Sequence, residues 1–465
     1  MVRRLKISHV RSIHSSLVYS PPPPPPPGDT IYDRWQIPAI PEWSEQEPPE
    51  LPDPWSSEVP GFYYVDPQEV GATDTARTYG RPGASRLTIP NPDNVPAGSV
   101  IVLKGTHSNY SGGSSGIRLG GTGTAKQPVF VVGDYEGTPA KFTRTVRPIG
   151  TYVIVDDINI DLDGTSAEEP CLSLINGLRR WCFRGCEMQN IFTDGSGNTS
   201  AVSIGSFNST WTGEIVIKNC EIHDNGDWMA ESDSVDIHGI GIGTYAEDIW
   251  IDGCEFYHNQ GNGVQVTGPN ETVALQAFTP RRIHVVNCEG YENAQPGFWS
   301  KHSIDVTFAG CESHDTREDS PGSPEVSAIG SQYGPINLRV VECEMYNCKV
   351  GYRQQTASSF TDGQGQGNMI ASCHIHDIGV GEDPPDQVED PGFGISIRNA
   401  VGTVKMQNNR FVDCAVGIGL TSGSVGLLAS GNTFTDMTTG FSYGFGDTSV
   451  RDASDYEPGA AVTVF

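Results

Sequence analysis

Positive charge is scarce in this chain. Its 465 residues carry 29 Lys and Arg against 57 Asp and Glu, a formal net charge of −28. A molecule this acidic repels nucleic-acid phosphates, which excludes a general grip on DNA or RNA. Long apolar runs are missing as well: no stretch approaches the roughly 18 consecutive apolar residues of a membrane span, so no membrane insertion is expected. There is no nucleophile elbow and no phosphate-binding loop. The basic start, MVRRLKISHVRSIHSSLVYS, lacks the apolar core of about 7–15 residues that a signal peptide carries, and export by the usual route is not expected.

What is present is glycine (55), proline (33) and short apolar triplets such as IVI and IWI set between Gly, Asn, Asp, Ser and Thr. That is the pattern of many short strands separated by turns, not of helices. Residues 1–60 differ from the rest. Pro21 to Pro27 are consecutive prolines, and IPAIPEWSEQEPPELPDPW follows. Such a segment builds no core and runs as polyproline II. It is expected to be an extended arm that ties the protein to a partner.

From about residue 150 a repeat takes over, and its period decides the architecture. Cys186, Cys220, Cys254 and Cys288 lie 34 residues apart, and each precedes a glutamate: Glu187, Glu221, Glu255 and Glu289. The series continues through Cys311-Glu312, Cys343-Glu344 and Cys373-His374, then through Asn409-Arg410-Phe411 and Asn432-Thr433-Phe434. Apolar alternations precede the markers, as in Ile249-Trp250-Ile251 and Val306-Thr307-Phe308. Constant anchors with variable spacing mean one strand-turn unit per coil and loops of differing length. The expected fold is all-β: a right-handed, single-stranded parallel β-helix over 61–440, its coils stacked at about 4.8 Å. Residues 441–465 form a cap or tail. The Cys/Asn series becomes an internal ladder, so the eleven cysteines are expected to be mostly free and buried rather than disulfide-bonded. Cys182/Cys186 and Cys343/Cys348 have near-zinc spacing but lack matching histidine pairs.

After each turn a second strand begins with glycine or its equivalent, as in Gly263-Val264-Gln265-Val266-Thr267, Gly297-Phe298-Trp299-Ser300-Lys301 and Gly351-Tyr352-Arg353-Gln354-Gln355. Side chains alternate along a strand, so Gln265, Trp299, Lys301, Gln332, Arg353, Gln355 and Arg398 are expected to face outward on neighbouring coils. Such a strip has nearly the pitch of one sugar residue and suits an extended, acidic polysaccharide. In that reading Trp299 stacks on a pyranose while the cations pair with uronate carboxylates. Lys301 and Arg353 are the candidates for β-elimination. Hydrolysis needs two carboxyls about 5–9.5 Å apart; the run from Asp227 to His238 offers Asp233, Asp236 and His238. The stacked glutamates repel one another if aligned, and they either splay into solvent or hold cations such as Ca²⁺.

From about 95 to 440 the Cys/Asn-Glu ladder, the Gly-Ile-x-Ile coils and phrases such as HGIGIG and GFWSKHS resemble the right-handed parallel β-helix superfamily, similar to pectate-lyase-like enzymes and bacteriophage tailspikes. Lys301 looks like the lysine of a lyase-type Ser-Lys pair. The tailspike resemblance implies a virion protein made in host cytoplasm. It would be anchored to other virion proteins through residues 1–55, would recognise a host glycan, and would assemble as a homotrimer, although the C-terminal tail has no heptads. The alternative is a secreted bacterial polysaccharide lyase or hydrolase, found outside the cell.

Overall fold

The structure, a computed structural model, describes residues 30–108, 116–163, 169–192, 198–229, 236–269, 277–317, 327–355, 365–379, 392–398, 402–420, 425–436 and 439–443. Met1–Pro38 form one unit and Ala39–Phe465 another. In the first, a short helical turn, Ile31–Arg34, is capped by Thr30, whose side chain accepts from the Asp33 N–H. The polyproline run lies outside the described residues, as do the residues beyond 443.

The second unit is a stack of parallel strands in three sheets. One sheet has 13 strands and two have 12, each running the length of the stack. The first sheet runs from Phe62–Val65 to Val425–Ser430, the second from Ile117–Thr122 to Thr439–Tyr443, and the third from Thr106–His107 to Thr433–Thr435. A coil visits the first, third and second sheets in turn: Ala246–Asp252, then Glu255–Tyr257, then Val264–Thr267. This is the right-handed parallel β-helix expected from the repeat. The stack starts before the Val100–Leu103 strand, which pairs with Phe62–Val65. Among the described residues no helix is long and apolar enough to cross a membrane.

The repeated Cys-Glu pair marks the corner between the first and third sheets. The residue before it holds a left-handed backbone in coil after coil: φ is 51° at Asn219, 64° at Gly253, 53° at Asn287, 60° at Gly310 and 56° at Asn408. Glycine and asparagine accept that conformation at the least cost. The corner turns the next residue inward. Cys220, Cys254 and Cys288 each donate a weak Sγ hydrogen bond to a carbonyl one coil back, those of Phe183 (3.6 Å), Ile217 (3.5 Å) and Ile251 (3.6 Å). Asn409 makes the same bond through Nδ2 to the Ile370 carbonyl at 3.0 Å, and Asn432 to that of Met406 at 3.1 Å. The shared bond explains why asparagine replaces cysteine without loss of register. All eleven cysteines are free and buried. A second ladder, Asn225–Asn259–Asn293, links Nδ2 to Oδ1 at 2.9 Å per step.

Between these ladders lies one continuous apolar core, including Ile215, Ile217, Ile249, Ile251, Val285, Val306 and Phe308. Truncating Phe308 to alanine would cost about 3–5 kcal/mol. The first sheet is also covered on its outer face where residues 43–45 cross it, over the strands Val153–Asp156, Arg179–Arg184 and Thr212–Lys218. Trp43 packs edge-on against Tyr152 with ring centroids 5.6 Å apart. The Ser44 carbonyl accepts from Cys182 Sγ (3.7 Å) and Arg184 Nη1 (3.3 Å), and Glu45 pairs with Lys218 at 2.8 Å. Cover on both faces is why these strands read as unbroken apolar triplets.

Candidate functional site

The outer face of the second sheet gathers most of the candidate residues. Strand register aligns Gln265, Trp299, Gly330, Arg353 and Ser396 in one row. The adjacent row is Thr267, Lys301, Gln332, Gln355 and Arg398. Lys301 and Arg353 stand two coils apart.

The two rows differ in access. Trp299 is 0% exposed and Arg353 3%. The Trp299 indole lies against Gly330, where an added Cβ would collide with the ring. The expectation that Trp299 offers an open face for a sugar to stack on is therefore corrected: the side chain leaves the core but is covered. In the second row Thr267, Lys301, Gln355 and Arg398 are half-buried, and Gln332 is buried. The arrangement is a floor and a rim.

Among the described residues several polar atoms in these rows have no hydrogen-bond partner: Trp299 Nε1, Thr267 Oγ1, Gln332 Oε1 and Gln355 Oε1. Buried polar atoms are normally paired, and those left unpaired tend to be found where a site has work to do.

His238 touches the first row at Gln265, whose register partner is Gly241. The Asn262 N–H donates to its Nδ1 at 2.9 Å. The neutral ring then carries its proton on Nε2, which faces the Gln265 carboxamide at 2.9 Å. Turning that amide so that its oxygen faces the ring gives the proton an acceptor, and leaves the other end of the amide unpartnered over the strip. Burial, and then the nearby Lys301 ammonium, push the His238 pKa down to about 3. Asp236 is held elsewhere: its carboxylate accepts from Gln295 Nε2 (2.5 Å) and Asn198 Nδ2 (3.3 Å). Asp233 lies outside the described residues.

The outer face of the third sheet holds a second constellation, which the sequence reading caught only in part. Glu187, Glu221, Glu255, Glu289, Glu312 and Glu344 align in a column that continues through His374 to Arg410 and Thr433. Beside it runs a column of rings: His223, Tyr257, Tyr291, His314, Tyr346 and His376. Successive centroids are 4.4, 5.1, 5.4, 4.5 and 4.9 Å apart, and the rings are stacked nearly parallel. The signal was present: a His or Tyr stands two residues after every one of these glutamates from Glu221 onward and, at the last coil, after His374.

Histidines relieve part of the carboxylate repulsion. His223 bridges Asp224 (2.9 Å) and Glu187 (3.1 Å), and His314 bridges Asp315 (2.7 Å) and Glu289 (3.1 Å). Where the neighbours are only glutamates, as at Glu255, burial and then Glu221 and Glu289 raise the carboxyl pKa. Two groups bring ligand atoms within 4.8 Å of one another: Glu344, His374 and His376, and Glu289, Glu312 and His314.

Residues 281–450 match the family described as right handed beta helix region. That match spans about a third of the chain, and the three-sheet register shows the right-handed parallel β-helix fold along the rest of the stack. No curated protein sequence matches it. Solved structures similar to it include pectate lyase Pel9A, at 14% identity and TM-score 0.39 over 85% of this chain and 82% of that one. Another is the A-module of the Azotobacter vinelandii mannuronan C-5 epimerase AlgE6, at 14% and 0.45 over 72% and 91%. A third is ORF18 of Geobacillus virus E2, at 11% and 0.38 over 75% and 56%. The fold rests on the strand register and the family match, and what those proteins act on is a property of those proteins.

Proposed function

We propose that this protein is a virion-attached spike or fibre whose β-helix recognises an extended, acidic host-surface polysaccharide along the outer face of the second sheet. One observation carries the reading. Polar atoms to which the described residues offer no partner, at Thr267, Gln332 and Gln355, recur along the second row from coil to coil. The half-buried cations Lys301 and Arg398 stand in the accessible row. A linear polymer of hydroxyls and carboxylates, with a repeat near the coil spacing of about 4.8 Å, would satisfy them together. The eleven free, buried thiols suit assembly in a reducing cytoplasm. Residues 1–55 would bind other virion proteins, and a homotrimer is the expected assembly, measurable as mass by light scattering.

Binding is tested by titrating purified protein with a panel of acidic polysaccharides at two salt concentrations. The expected result is salt-sensitive binding that weakens in Lys301→Ala and Arg398→Ala. Binding that ignores both substitutions would refute the strip as the site.

A second reading, cleavage of the same polymer, is favoured by two groups able to carry protons on this sheet, Lys301 in the second row and His238 against Gln265. Appearance of unsaturated-uronate absorbance that is abolished in Lys301→Ala would establish a lyase. New reducing ends without that absorbance would mean hydrolysis. Silence in both assays would leave recognition alone.

A further inference from the structure

The third sheet, on a different face of the helix from the glycan strip, carries a site of another kind. Glu344 Oε1 lies 3.1 Å from His374 Nδ1 and 3.1 Å from His376 Nε2. The other nitrogen of His376, Nδ1, is 2.7 Å from Asp377 Oδ2. A carboxylate only accepts, so Nδ1 carries the proton in that bond. In the neutral ring Nε2 then presents a lone pair to the Glu344 oxygen, which also has only lone pairs to offer. Something positive has to lie between them.

A second proton on His376 could fill that role while neutral His374 donates from Nδ1, but it would place an imidazolium 4.3 Å from the His374 ring. A single divalent ion would instead supply positive charge at one point and accept a lone pair from all three ligands. The spacing suits it. Zinc-type bonds of about 2.0–2.2 Å to nitrogen and oxygen put neighbouring ligand atoms about 3.3 Å apart in a tetrahedron and about 2.9 Å apart in an octahedron. The observed 3.1 Å separations fall between.

We propose that Glu344, His374 and His376 form a binding site for a divalent first-row transition metal ion, with Asp377 orienting His376 from behind. Two imidazoles and one carboxylate favour Zn²⁺, Co²⁺ or Ni²⁺ over Ca²⁺, which takes six to eight oxygen ligands. A ligating histidine that donates its far N–H to a carboxylate is the usual arrangement behind such an ion. The three residues are only partly buried, with side-chain exposures of 43%, 23% and 20%, so the ion would keep open positions for water or a further ligand. The group at Glu289, Glu312 and His314 repeats the backing contact through Asp315 but offers one imidazole, and His314 Nε2 is 3.9 Å from Glu312. It is the weaker site and an internal comparison.

The test uses the full chain, stripped with EDTA and dialysed. It is titrated with Zn²⁺ by calorimetry and with Co²⁺ while visible absorption is followed. The expected result is one tight equivalent. Affinity should fall at least about tenfold in His374→Gln and in His376→Gln, and by about 10–100-fold in Asp377→Asn, whose side chain would not touch the ion. His314→Gln should retain it. Glu344→Gln serves as the ligand variant if circular dichroism shows that a histidine variant has lost its fold. No uptake by the parent protein would overturn the proposal. So would uptake unchanged in the folded ligand variants, or abolished by His314→Gln instead.

Discussion

Acid should loosen this molecule well before its carboxylates are protonated. Three histidines are held buried and neutral. His107 and His238 are each 4% exposed and His284 3%. Burial lowers their pKa values to about 4, 3 and 4, with Lys301 adding to the effect at His238 and Arg339 at His284. In the unfolded chain each takes up a proton near pH 6.5. The unfolded state therefore binds more protons than the folded one between pH 6.5 and about 4, and stability falls as pH falls through that window. At pH 5 each group sits about 1.5 pH units below its unfolded value, a loss of about 2 kcal/mol, or about 6 kcal/mol for the three relative to neutral pH. His314 and His376 act in the opposite sense. Burial lowers their pKa values, but carboxylate partners outweigh it and raise them. Their contribution is present below pH 6.5, is lost as pH rises through their folded values, and so is nearly flat between pH 6.5 and 5. Guanidinium unfolding followed by tryptophan fluorescence at pH 7, 6 and 5 measures the slope. His238→Gln should remove about a third of it. An unfolding free energy independent of pH across this range, or a variant with the parent slope, would refute the reasoning.

Two further outcomes are expected. Asn259→Ala removes the partner of the Asn225 amide and of the Ile222 carbonyl, leaving buried polar groups short of a hydrogen bond. Each should cost about 1–3 kcal/mol in denaturant unfolding, whereas a loss below about 0.5 kcal/mol would show the ladder to be dispensable. All eleven cysteines are buried, and burial raises thiols such as Cys186, Cys220 and Cys343 well above their ordinary values. A thiol-reactive chromophore should label none in the native protein and all eleven after denaturation. Prompt native labelling would contradict the ladder.

The coil register was readable because it is written in short range. A Gly or Asn at the left-handed corner, a Cys or Asn turned inward and a Glu turned outward recur together. Pairing then follows Glu187 to Glu221 to Glu255 as the spacing predicts. The ring column was missed although its residues stand two places beyond Glu221, Glu255 and the glutamates that follow. Alternation says that Tyr257 and Tyr291 face out, but only the coil-to-coil distance makes them stack. Burial of outward side chains was out of reach for a different reason. Whether Trp299 meets water depends on what lies over the sheet, and no periodicity within a strand encodes that. Asp236 makes the same point: its carboxylate is engaged by Gln295, 59 residues later.

The corner between the first and third sheets has one consequence for how such a molecule changes size. It keeps the same two-residue form at Gly253-Cys254 and at Asn287-Cys288, while the chain between them makes a complete circuit. Excising residues 254–287 would join Gly253 to Cys288 and recreate the sequence Gly-Cys-Glu at the seam. Every strand above the cut would find a partner of the same kind below it. The molecule is thus graduated like a ruler. Its length can be reset by whole coils, and the distance between its two ends becomes a quantity that selection, or an engineer, adjusts in steps of about 4.8 Å.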